Sequence, residues 1–325
     1  MTENIIKKDN KNVIVKIKEL FKTNAILVIF IILFAIISIA KPETFLTLRN
    51  LINILRQVSV VGIIACGMTM VLISGNMDLS VGSTYSLCLV IPILLEPYGI
   101  VLQITVAILA GITVGFINGV LVGKLNANSF IITLGMLSIV QGIAYIISGG
   151  KYLQANLETV LLIVGRKNFF NIPVSVYALF IIAIISYLIL SKTTFGRKVY
   201  LTGSNPFAAY ASGINTGNIK MLTFVITGLF CSMGGILSMS LIGTAQPGAG
   251  ANMEFDVLTA VILGGTSLFG GKGSIFNTII GVLLLGIVGN SMIMIGIPFS
   301  FQLVAKGSIL MAAVYYDNLI NRAQR

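Results

Sequence analysis

The stretch KTTFGRKVYLTGSNPFAAYASGINTGNIK, Lys192 to Lys220, separates two apolar runs, residues 172–191 and 221–242. Each run is continuous rather than alternating. Each is close to the 20 or so apolar residues that a helix needs to cross a bilayer. The stretch between them is the longest basic polar break in an otherwise apolar chain, and it holds a short helix with its own punctuation. Asn205 is a good N-cap, because its side-chain oxygen can accept from a free N–H of the first turn. Pro206 suits the first helical position, where its missing donor costs nothing. Phe207, Ala208, Ala209 and the residues up to Ser212 make about two turns, and Gly213 supplies the left-handed stop before Ile214. In so apolar a chain, a capped helix in a water-facing loop reads as a contact for a soluble protein. A linker helix lying on the lipid surface is the other reading.

Composition sets the class. Hydrophobic residues are 56% of the chain and charged residues 10%, with a mean hydropathy of +1.01. Soluble domains carry about 25% charged residues, so no water-soluble surface can be built here. Backbone groups in lipid must be satisfied internally, by helices or by a closed barrel. Continuous apolar runs choose helices, and the chain reads as an all-α integral membrane protein. The net charge of +11 does not indicate nucleic acid, because the basic residues sit between apolar runs, where they orient helices. Cys66, Cys88 and Cys231 each fall within an apolar run and the chain has no histidine. Neither a disulfide framework nor a zinc-type constellation follows, and no cofactor or metal is expected.

About ten transmembrane helices are expected, over residues 24–40, 51–73, 83–95, 100–123, 130–147, 172–191, 221–242, 255–269, 275–295 and 299–316. Residues 1–23 form a cytoplasmic N-terminal segment and 24–317 the transmembrane domain, with the polar stretch 192–220 inside it and a cytoplasmic tail at 318–325. A cleaved signal peptide is the alternative for the start. Acidic residues in the leader and the many later spans favour an uncleaved first helix. Both termini then lie in the cytoplasm of a bacterial cell membrane. Lys and Arg exceed the outer ones inside by about two to one, as orientation requires. The third and eighth spans are short, so either could be broken or re-entrant. The long outer loop 148–171 has an apolar centre at 160–164 that can pack on the bundle.

Val71-Leu72-Ile73-Ser74-Gly75 resembles Val261-Ile262-Leu263-Gly264-Gly265, and each is followed by a leucine and a Gly-Ser pair. This hints at duplicated halves, common in transporters. Gly111, Gly115, Gly119 and Gly123 are spaced for close helix approach. Asn118 and Asn290 lie within spans, where each either bridges helices or lines a solute path. Asp78, with Ser80, either caps the helix that follows or serves a path or gate. Glu254 and Asp256 complement a helix dipole. Gly271-Lys272 is no P-loop, because Thr266 and Gly273 stand where glycine and Ser or Thr are required. Carboxylates are nearly absent from mid-span positions, where ion-coupled carriers usually place ionisable groups. An energy source outside the chain is the simpler account, delivered at the capped helix. An ion-coupled secondary transporter of a small polar solute is the alternative.

Three blocks carry a family resemblance. They are Gly67-Met68-Thr69 with Gly75 to Ser83; Phe195-Gly196-Arg197 with Gly203-Ser204-Asn205-Pro206, Ala208-Ala209 and Ser212-Gly213-Ile214-Asn215; and Ala245-Gln246-Pro247 with Glu254-Phe255-Asp256 and Gly264 to Ser274. In this order they resemble the permease subunit of ribose-type ABC importers, across most of the chain after about residue 40. The resemblance implies a permease bundle that is not itself an enzyme and that translocates a monosaccharide, ribose or a related sugar. It implies a cytoplasmic ATPase that performs the hydrolysis, an extracytoplasmic sugar-binding protein, and a second permease copy or a paralogue. It also implies that Asn205 to Ile214 is the element that couples the permease to the ATPase.

Overall fold

The computed structural model describes residues 25–156 and 158–323. The expected N-terminal segment 1–23 and Arg325 lie outside the described residues. The helices are α1 (Ala25–Ala40), α2 (Pro42–Phe45), α3 (Leu48–Ile73), α4 (Val81–Leu94), α5 (Ile100–Gly119), α6 (Ser129–Ser148), α7 (Val160–Gly165), α8 (Val174–Lys192), α9 (Thr194–Ser204), α10 (Pro206–Ala211), α11 (Thr216–Ile242), α12 (Met253–Leu263), α13 (Ile275–Met294) and α14 (Phe299–Ala323). A π-helical turn, Val120–Lys124, continues α5. Two small antiparallel ribbons pair β1 (Leu153–Gln154) with β4 (Thr244–Ala245) and β2 (Asn168–Phe169) with β3 (Ile172–Pro173).

Among the described residues, six helices are long and apolar enough to span a membrane: α3, α5 with its π-turn, α6, α8, α11 and α13. Of the other expected spans, α4 and α12 fall well short of full length. α4 has 14 residues and α12 has 11, which at 1.5 Å per residue reach about 21 and 17 Å, short of the ~30 Å hydrocarbon layer. α14 carries Gln302 and Lys306 in its first turns and runs to Ala323, through the boundary at 317 expected for a separate tail. No glycine or proline follows Gly307 in this helix, so nothing stops it at 317. Arg49, expected in a loop, lies inside α3, because Thr47 caps that helix by accepting from Asn50 N at 3.3 Å.

α11 is the axis of the bundle and packs on α3, α4 and α5. The glycine stripe of α5 explains the closest of these contacts. A Cβ on Gly115 would meet Phe224 O at 2.4 Å, and one on Gly111 would meet Gly228 O at 2.4 Å. Gly123 sits likewise against Gly217 O. The two backbones therefore touch, which only small residues permit. α4 is buried on every side, from Val81 to Ile93, as befits a helix apolar all round. The outer helices show apolar residues outward instead, such as Ile32 and Ile36 on α1 and Ile131 and Ile146 on α6. Cys66, Cys88 and Cys231 are buried in the core.

The connecting segments collect at two ends. At one end, Gly271 N donates to Ile73 O at 2.8 Å, Met77 N to Ser129 Oγ at 3.3 Å and Tyr200 Oη to Gly273 O at 2.8 Å. At the other, Asn156 N donates to Glu96 Oε1 at 2.9 Å, Tyr152 Oη to Thr244 Oγ1 at 2.9 Å and Arg166 Nη2 to Ile242 O at 3.0 Å. Arg56 reaches the second end, where its Nη2 donates to Asn168 Oδ1 at 3.2 Å. The described part of the loop 148–171 packs there, and Leu161 and Leu162 of α7 are buried in the core, as its apolar centre suggested.

The two similar sequence junctions adopt one geometry. Gly75 N donates to Leu72 O and Asn76 N to Val71 O, while Gly265 N donates to Ile262 O and Thr266 N to Val261 O. Both ends are Schellman caps, each with its glycine at φ +80°.

Candidate functional site

The polar stretch at the first end builds a platform. Thr193 caps α9 by accepting from Gly196 N at 3.1 Å. α9 then presents Val199 and Thr202 to the bundle and leaves Lys192, Arg197 and Lys198 exposed around it. Burial holds the Tyr200 phenol above its usual range, so it stays neutral and donates to Gly273 O. This helix was not expected from the sequence, which reads there as a basic break. The spacing of Val199 and Thr202, with Thr193 ahead of them, is the signal that could have shown it.

α10 follows with the expected punctuation. Asn205 Oδ1 accepts from Ala208 N at 3.0 Å, and Pro206 takes the first helical position. Gly213, at φ +79°, donates to Tyr210 O, and Ile214 N donates to Ala209 O, which closes a Schellman motif. Ala209 and Ile214 are buried and tie α10 to the bundle, whereas Ala208 and Ser212 face solvent. Phe207 is 88% exposed and Tyr210 74%. Three positions apart, they share one face of the helix. The platform joins the bundle through backbone. A Cβ on Gly203 would fall 1.7 Å from Ile73 O and 2.7 Å from Gly271 N.

Above this end lies a buried polar cluster. Asp78 Oδ1 accepts from Ser80 N at 2.9 Å and from Ser80 Oγ at 2.6 Å. Ser80 Oγ in turn accepts from Asn118 Nδ2 of α5 at 2.9 Å. Ser80 occupies the N-cap position of α4 without a side-chain capping bond. Asp78 therefore holds the turn and fastens it to α5 rather than capping the helix. The unwound backbone beside it is satisfied by α6, whose Thr133 Oγ1 accepts from Leu79 N at 3.0 Å. Non-helical backbone at membrane depth requires such partners. Asn290 lies apart from this group. It exchanges two hydrogen bonds with Asn50, Asn50 Nδ2 to Asn290 Oδ1 at 3.1 Å and Asn290 Nδ2 to Asn50 Oδ1 at 2.8 Å. The structure thus brings together Asp78, Ser80 and Asn118 and sets Asn290 in an interhelical bridge. Asp256, in the first turn of α12, pairs with Lys306 at 2.8 Å.

Comparison with known proteins bears on all of this. The family described as "Branched-chain amino acid transport system / permease component" matches residues 50–314. The Ribose import permease protein RbsC of Haemophilus influenzae is 35% identical over 295 residues, covering 89% of this chain and 91% of its own. That of Bacillus subtilis is 37% identical over 289 residues, covering 88% and 89%. The L-arabinose transport system permease protein AraH of Escherichia coli K12 is 38% identical over 307 residues, covering 92% and 91%. No solved structure matches.

Proposed function

The chain belongs to the branched-chain amino acid transport system / permease component family, and on that premise we propose that it is the membrane subunit through which a ribose- or arabinose-like monosaccharide is imported at the expense of ATP. It is an integral, multi-pass permease subunit of a sugar-importing ABC system, and its family implies an ATPase and a substrate-binding protein as partners. α10 is the ATPase contact, and the end that carries it faces the cytoplasm. The observation that carries this reading is the pair of outward rings, Phe207 and Tyr210, on a helix capped at both ends and anchored by Ala209 and Ile214. Aromatic side chains left in water on a rigid support are what a partner's cleft can bury as hot spots.

Force enters at α10 and passes through α9. From there the backbone contacts at Gly203 take it to the end of α3 and to the loop between α12 and α13, and so to both of the similar junctions. Two permease copies, or this chain and a paralogue, rock about a shared path. The Asp78–Ser80–Asn118 cluster lies where the chain breaks between α3 and α4, and serves as part of the gate. Along most of the path a weakly polar surface lets a sugar pass without holding it tightly.

The test is reconstitution. With its ATPase and binding protein in proteoliposomes, the permease should accumulate D-ribose or L-arabinose only when ATP is supplied, and an uncoupler should leave uptake unchanged. Accumulation by the permease alone, driven by an ion gradient, would overturn the reading.

A further inference from the structure

The second end of the bundle contains a cavity of about 390 Å³ between α4, α6 and the segment 243–252. That volume lies in the lower part of the range of roughly 300–1,000 Å³ typical of small-molecule sites. Its wall is unusually polar for a membrane interior: Ser83, Gln141, Tyr145, Gln246, Asn252 and Glu254 all line it. Resting on the importer reading, we propose that this cavity is the site at which a neutral polyhydroxylated solute is held during passage, with the Glu254 carboxylate as its principal hydrogen-bond acceptor.

Glu254 is only 6% exposed, and among the described residues its carboxylate forms no ion pair and meets a donor only in its own backbone N–H. A carboxylate accepts at up to about four positions, and a buried one that fills few of them is costly, so Glu254 on a cavity wall marks a place where a ligand supplies the remaining donors. Its position is fixed by the backbone around it. Gly82 of α4 lies so close that an added Cβ would meet Gly250 O at 2.3 Å and Glu254 Oε2 at 2.6 Å. Gly250 N also donates to Ser86 Oγ at 2.8 Å. Gln141 Nε2 donates to Pro247 O at 2.5 Å, which holds the loop over α6.

The donor and acceptor inventory selects the ligand. An ionised carboxylate only accepts, at up to about four positions, while carboxamides and hydroxyls both donate and accept. Sugar hydroxyls can answer all of these groups at once. The net negative wall disfavours anions, sugar phosphates among them. The cavity is also tied to the buried cluster below it, because Ser83 Oγ donates to Ser80 O at 3.0 Å. Occupancy is therefore felt at the chain break between α3 and α4.

The chain contains no tryptophan, so a Leu137→Trp permease carries a single indole at the cavity wall. In liposomes, D-ribose and L-arabinose should change its fluorescence saturably. Adding Glu254→Gln should weaken that response at least tenfold, Tyr145→Phe or Gln246→Ala should weaken it severalfold, and Glu158→Gln in the distant loop should leave it unchanged. The same variants, assembled with the ATPase and binding protein, should lose ATP-driven uptake in the same order. The milder pair keeps the test open if Glu254→Gln fails to fold. Normal ATP-driven uptake by folded cavity variants, or a response to Na⁺ or K⁺ with none to sugar, overturns the cavity site and leaves the importer intact. Absence of ATP-driven uptake in the unmodified complex overturns the importer reading itself.

Discussion

Truncating Phe207 and Tyr210 to Ala separates the proposed ATPase contact from the folding of the permease. The rings are 88% and 74% exposed, so nearly all of their surface is available to a partner. Fully burying such a side chain contributes about 1.5–3 kcal/mol. Each truncation should therefore weaken ATPase binding by about 2 kcal/mol, roughly 30-fold at 1.4 kcal/mol per decade. The double variant should lose on the order of 4 kcal/mol, reduced or increased by coupling between the two rings. Nothing in the helix itself should suffer. Alanine is the best helix former, the Asn205 cap and the Gly213 stop remain, and Ala209 and Ile214 still anchor the helix. The assay is interferometry between the permease in nanodiscs and its purified ATPase, with thermal unfolding of the permease measured in parallel. Phe170, 95% exposed at the opposite end, supplies the control as Phe170→Ala. A dissociation constant within twofold of the unmodified protein, or an equal loss in the control, would refute the contact.

Three further outcomes are expected. Asn205→Ala should remove the cap of α10 at a local cost of about 0.5–2 kcal/mol, so ATPase stimulation by loaded binding protein should fall while membrane insertion, read by protease protection, stays intact. Gly115→Val should drive a side chain into Phe224 O and destabilise the bundle by at least the 1–3 kcal/mol usual for overpacking, whereas Gly135→Ala, with nothing within 4 Å, should leave the thermal midpoint in place. Asn290→Leu should cost about 1–2 kcal/mol by leaving Asn50 Oδ1 without its donor, and the Asn50→Leu/Asn290→Leu pair should regain part of it with normal uptake; a stable double variant that no longer transports would show a path role instead.

Much of this architecture is legible in the amino-acid order because lipid makes strict demands. Apolar runs of fixed length announce α3, α5, α8 and α11, and the glycines of α5 announce a close partner. The punctuation Asn205-Pro206 and Gly213 defines α10 to within one residue, since each type has a local reason to be there. Local chemistry ends at contacts made across the bundle. α9 is hidden because its lysine and arginine residues dominate a stretch whose buried face is only a few side chains wide. The pairing of β1 with β4 is two residues long and has no pattern to display. Glu254 reads as a helix-dipole residue, and that is true of its place on α12. Its burial arises from Gly82 meeting Gly250, a meeting no spacing within either segment foretells. Asn118 is visible as a polar residue in a span, but its bond to Ser80 depends on where the chain breaks before α4.

The contact at Gly203 has a mechanical consequence. Where two helices meet through long side chains, rotamer changes can absorb a push of an ångström or more before the next element moves. Here main chain abuts main chain at Ile73 and Gly271, and no such play is available. A displacement of the platform must travel inward almost undiminished, like a load borne by a keystone rather than by a cushion, so that even alanine at this one position should disconnect the platform from the bundle.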